Sequence, residues 1–123
     1  MDAVLDEVTI NGVEYARKGT QPVPAQKLYG MRYVIVRTYS AGVFAGYLKE
    51  MDGQQVTLLN ARRLWYWSGA ASLSQLAMEG TKKPNECKFP CEVSRIELLQ
   101  AIEVLDVTET ARKNIAEVPT WKQ

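Results

Sequence analysis

Two adjacent guanidinium groups stand beside three large aromatic rings in the run Arg62-Arg63-Leu64-Trp65-Tyr66-Trp67, which leads through Ser68-Gly69 into a helix start. Guanidinium groups donate forked hydrogen bonds to phosphate, aromatic rings stack on flat bases, and free amides at a helix N-terminus attract anions. Together they have the chemistry to hold a base and a phosphate at once. The competing reading is packing, with Trp65 and Trp67 in the core and the arginine stems laid over its edge. If the run is extended, Arg63, Trp65 and Trp67 share one face and Arg62, Leu64 and Tyr66 the other.

The remaining residue types narrow the chemistry. There is no histidine, which removes the commonest general base, the commonest metal ligand and any Ser-His or Cys-His pair. Asp, Glu, Lys and Tyr remain, but Glu97, Glu103 and Asp106 form the densest acidic set and read as a solvated face. Cys87 and Cys91 supply two ligands with no obvious others, so neither zinc nor any other metal is expected, and a pair of thiols is favoured over a disulfide. No glycine pattern of the phosphate-loop or dinucleotide type occurs, and no cofactor is expected. The net charge of +1 is too small for a protein that binds long nucleic acid, so an anionic partner would be small and recognised locally. No apolar run approaches a membrane span, and the acidic start Met1 to Glu7 is wrong for a secretory signal, so a cytoplasmic protein is expected.

The elements that must position these residues follow from local pattern. A length of 123 residues with 46% apolar composition supports one core. Val8 to Tyr15 reads as a hairpin turning at Asn11-Gly12, and Lys18 to Gln26, with two prolines, as a connector; residues 1–30 thus precede a β-rich domain over 31–123. Tyr33 to Tyr39 carries apolar groups on both faces and is expected as a central strand. Val43 to Glu50, a turn at Asp52-Gly53, and Gln55 to Leu59 make an antiparallel pair, with Asn60-Ala61 as its exit. A helix is expected over Ala70 to Glu79, with Ser72 and Gln75 at capping-box spacing and Gly80 past its end. Phe89, among prolines and cysteines, is either a displayed lid or stacking platform, or an edge residue packed on the helix. Arg95 to Val107 is ambiguous, since Ile96, Leu99 and Ile102 suit a helix while Ile102, Val104 and the alternating Glu103 suit a strand; two short strands, or one strand with a bulge, are expected because the sheet needs partners for its edges. Thr108 caps a last helix from Glu109 to about Ala116, from which Arg112 projects. The expected class is α+β: a small antiparallel sheet or partly open barrel, with one central and one C-terminal short helix.

The segments RTYSAGVFAGYL, NARRLWYWSGAASLSQLAMEG, KPNECKFP and RIELLQAIEVL resemble the phage Thoeris anti-defence family of signal sponges, first type, from about Tyr33 to Trp121. The resemblance implies a non-enzymatic protein that sequesters a cyclic ADP-ribose isomer made by TIR-domain enzymes in the infected host's cytoplasm. Some members also hold cyclic trinucleotides at a separate site in a hexamer, which implies a homo-oligomer. Carried over by motif, the family's arginine corresponds to Arg63 or Arg62, its aromatic to Phe89, and a C-terminal basic residue to Arg112; Asn60 and Asn85 are candidates for its asparagine. With Trp65 and the helix-entrance Gly69, these form the expected ligand site. The extension from Met1 to about Arg32 departs from compact members of the family. Two other readings stand beside it: a phage structural or protein-interaction module whose aromatic cluster is an interface, and a small hydrolase working through Glu or Asp alone.

Overall fold

The turn at Asp52-Gly53, where Gly53 takes a φ of +61°, joins the two longest strands among the described residues. The structure, a computed structural model, describes residues 22–122; the hairpin expected over Val8 to Tyr15 lies outside the described residues. Five strands, β1 (Tyr33–Thr38), β2 (Val43–Asp52), β3 (Gln55–Arg63), β4 (Val93–Leu98) and β5 (Ala101–Asp106), form one antiparallel sheet in the order β4-β3-β2-β1-β5. Helix α1 (Leu73–Glu79) follows β3, and α2 (Glu109–Glu117) follows β5. The α+β architecture read from the sequence is the one observed.

The sheet is rolled rather than flat. Its marginal strands β4 and β5 are joined by Leu99 and Gln100 alone. In a flat sheet the margins would lie about 19 Å apart at the usual strand spacing. From Leu98 to Ala101 the chain can reach only about 11 Å. The sheet therefore curls until the Ala101 N–H donates to the Gln54 carbonyl at 2.9 Å, at the tip of the β2–β3 hairpin. Val34, Val36, Phe44, Val56, Leu58, Ala61, Leu98 and Ala101 fill the inner face. The outer face carries Tyr33, Ile35 and Ala45, over which pack Leu76 and Ala77 of α1 and Ala111 and Ile115 of α2. Strand β1 thus has a core on each side, the physical meaning of its apolar character on both faces.

Both helix starts are capped as the sequence implies. The Ser72 Oγ accepts from the Gln75 N–H at 3.1 Å, which delays α1 to Leu73 rather than Ala70. The Thr108 Oγ1 accepts from the Ala111 N–H at 3.1 Å and donates to the Met78 carbonyl at 2.7 Å, tying the start of α2 to α1. Asn114 pairs its side-chain amide both ways with the backbone of Thr81, at 2.8 Å each. Arg95 to Val107 resolves into two short strands, as expected. Among the described residues no helix is long and apolar enough to cross a membrane.

β3 departs from expectation. Instead of ending at Leu59 it continues to Arg63, because Asn60 adopts a φ of +50° and inserts a bulge opposite Gly46. Asparagine tolerates the left-handed region better than most side chains. The extra residue shifts the alternation by one position: Val56 and Leu58 face inward before it, Ala61 and Arg63 after it. Arg62 consequently turns outward, under the helices.

Candidate functional site

Arg62 is only 7% exposed, and it holds no carboxylate. Its Nε donates to the Pro90 carbonyl at 3.0 Å, one terminal nitrogen to Ile115 at 2.8 Å, and the other to Phe89 at 3.1 Å and Val118 at 2.7 Å. Ile115 and Val118 lie at the end of α2, whose last turn contains no basic residue of its own. Carbonyls there carry the negative end of the helix dipole, so Arg62 serves as its C-terminal cation from across the fold. Burial pushes its pKa down, with Tyr33 and Glu92 acting in the opposite sense; a guanidinium remains charged regardless.

The edge of this guanidinium opens on a cavity of about 250 Å³ lined by Tyr33, Tyr47, Arg62, Glu92, Arg112 and Thr120, with Ala116 and Val118. Tyr33 on β1 stands directly across from Tyr47 on β2, their rings 5.0 Å apart and edge to face. Desolvation raises the Tyr33 phenol well above its ordinary value, helped by Tyr47 and Glu92, so it stays neutral and able to donate. Arg112 enters from α2 and is gripped by Glu109 through two bonds, Nε to Oε1 at 2.9 Å and a terminal nitrogen to Oε2 at 2.6 Å. That hydrogen bonding raises the Arg112 pKa. The cavity gathers donors and two cationic groups from β1, β2, β3 and α2. The Glu92 carboxylate lines the same cavity, so cationic, anionic and hydroxyl groups face one space.

The Glu109 carboxyl is pulled from an ordinary 4.5 down to about 2 by its hydrogen bond from Arg112, then by the Gln26 N–H. A carboxylate depressed in the folded state contributes stability in full above its unfolded value, and loses that contribution as pH falls through the folded one. The stability gap between the native chain and Glu109→Gln is therefore expected to be widest above about pH 5 and to close towards pH 2. Urea midpoints of both proteins across that range measure it, and a gap independent of pH would refute the pairing.

The structure brings Arg62 and Arg112 together but separates the other expected site residues from them. Arg63 emerges on the opposite face, its guanidinium 4.4 Å from the Phe44 ring and bonded to the Ala41 carbonyl at 2.7 Å, so the two neighbouring arginines do not converge on one ligand. Phe89 is not displayed: it is fully buried, 5.5 Å from the Arg62 guanidinium, and has no face to offer a base. Backbone bonds pin its segment on both sides, between Lys88 and Tyr66 and between Trp121 and Phe89. Trp65 is 63% exposed, neither core nor cavity wall, while Trp67 packs against the outer core. Asn60 is the bulge residue. Gly69, with a φ of +86°, is structural: a Cβ there would lie 2.5 Å from the Lys83 nitrogen. The α1 entrance is taken up by its own caps, Ser72 on the Gln75 N–H and Gln75 on the Ala71 N–H, and does not line the cavity.

Tyr33, Tyr47, Glu92 and Thr120 are the polar lining residues to which no motif points. A signal existed: pairing β1 with β2 about the Ser40-Ala41-Gly42 break sets the two tyrosines side by side. Both cysteines are free, Cys87 buried and Cys91 exposed. A family model described as a domain of unknown function (DUF6948) matches residues 31–115, starting just before β1. No curated protein and no solved structure matches the chain.

Proposed function

The chain belongs to the DUF6948 family of domains of unknown function, and from the site it builds we propose that it binds a small nucleotide signal of the cyclic ADP-ribose class and holds it without degrading it. The observation that carries this reading is the convergence of Arg62, Arg112, Tyr33 and Tyr47 on one cavity. Charge-assisted bonds from guanidinium to a pyrophosphate are roughly twice as strong as neutral ones. The tyrosine hydroxyls suit ribose oxygens, and the Glu92 carboxylate suits a ribose hydroxyl or an exocyclic amine. At about 250 Å³ the cavity is below the ~300–1,000 Å³ of typical ligand pockets. One chain therefore encloses the phosphate and ribose portion, and a second protomer of a homo-oligomer covers the base. On this reading the protein works in the cytoplasm of an infected bacterial host, as an anti-defence sponge, with cyclic trinucleotides as a second ligand class.

A second reading has its own support. Lys88 lies between the rings of Tyr66 and Trp121, at 5.8 and 5.7 Å, with Trp65 exposed nearby in sequence. Exposed aromatic side chains with a cation are the stuff of protein-interaction hot spots.

Incubating the protein with TIR-enzyme products, washing, denaturing by heat and analysing the release by mass spectrometry separates these readings. A sponge releases intact ligand, a hydrolase releases product, and an interaction module retains nothing. Arg112→Ala and Tyr47→Phe are each expected to weaken retention, Arg112→Ala by about tenfold to a hundredfold, whereas Arg63→Ala retains ligand as the native chain does. No retention by the native protein overturns the proposal.

A further inference from the structure

β4 is a marginal strand of six residues, bonded to β3 on one side; among the described residues its other side has no backbone partner. Open strand margins are templates for pairing with another chain. The side chains along this margin have a particular symmetry. Arg95 and Glu97 flank Ile96, while Val93 and Leu99, 41% and 67% exposed, stand three residues to either side. Ile96 and Leu98 turn to the inner core, and Arg95 and Glu97 project together, 2.9 Å apart and half exposed.

We propose that β4 is the surface through which a second copy of this chain docks, antiparallel, with the two-fold axis at Ile96. In that register Arg95 of each copy faces Glu97 of the other, and Val93 of each faces Leu99 of the other. Opposite charges placed directly across an antiparallel pair are favourable and like charges unfavourable. The four charged groups close into one alternating network, and each exposed apolar side chain gains an apolar neighbour.

The other margin does not offer this. β5 contains no basic residue, its Glu103 is held by Arg37 of β1 at 2.8 Å, and its Asp106 by Arg32. At its far end the Val107 carbonyl accepts from the Ala25 N–H at 3.0 Å. A contact made by β4 with itself is isologous, so it closes as a dimer and does not propagate into a fibre. It requires no nucleotide and stands apart from the proposed ligand.

The test is the mass of the full-length protein by size exclusion with light scattering, without ligand. The native chain is expected at twice its 13.8 kDa mass. Arg95→Glu and Glu97→Arg, each alone, are expected to weaken dimerisation by at least about tenfold and to run near the single-chain mass. Mixing the two is expected to restore the dimer, because one variant presents only acids along the margin and the other only bases. Repair of an ion pair within one chain cannot produce that result. A native protein at single-chain mass, single variants that dimerise as the native chain does, or a mixture that stays at single-chain mass would each overturn the proposal.

Discussion

Arg62→Met is expected to destabilise the protein by about 3–5 kcal/mol, a large share of the ~5–15 kcal/mol available to a small domain. The substitution keeps much of the buried stem but removes the donors that satisfy the carbonyls of Phe89, Pro90, Ile115 and Val118. A buried carbonyl left without a partner costs ~1–3 kcal/mol, and a bond to a charged donor contributes about 1.5–3. These figures do not add linearly, since the four acceptors share one donor group and can relax together. Arg62→Lys is expected to fall between the two, because an ammonium is a compact point donor and cannot span four divergent carbonyls. Thermal melts followed by circular dichroism measure this, with a midpoint at least about 12 °C lower for Arg62→Met. A methionine variant within about 1 kcal/mol of the native protein would mean that water serves those carbonyls equally well.

Phe89→Ala is expected to cost a similar ~3–5 kcal/mol, the usual range for emptying a fully buried aromatic position. The ring lies in the core formed by α1, α2 and the outer face of the sheet, where little can collapse to fill the space. Phe89→Leu is the informative companion: it should cost about 1.5 kcal/mol or less and leave ligand retention as in the native chain. If Phe89→Leu instead keeps its stability but loses retention, the residue stacks on a ligand after all, and the buried arrangement is not the one that binds.

Arg62 and Phe89 also show where reading a sequence runs out. Turn chemistry at Asp52-Gly53, the apolar faces of β1 and the caps at Ser72 and Thr108 are local, and each is realised as its residue types dictate. The partners of Arg62 are 27 to 56 residues away in the chain, and they are backbone carbonyls, which no residue type advertises. Phe89 sits in a segment without periodicity, held by bridges to Tyr66 and Thr120. Nothing within five residues of it announces burial. The candidate cavity is half legible: motif and resemblance point to its two arginines, while its two tyrosines lie inside strands, where aromatic residues are commonplace.

The bulge at Asn60 has a consequence for how this protein can change. Arg62 and Arg63 are chemically identical, and only the extra residue before them decides which is a buried strut and which lies over Phe44. Flattening the bulge while Asn60 stays in the ladder would exchange those fates without altering either arginine, much as a slipped reading frame changes meaning without changing letters, whereas deleting Asn60 restores simple alternation and leaves both arginines where they are. Two descendants of this chain could therefore carry the same Arg-Arg pair and assign the buried post to different members. Comparing them column by column would then align residues whose roles have traded places.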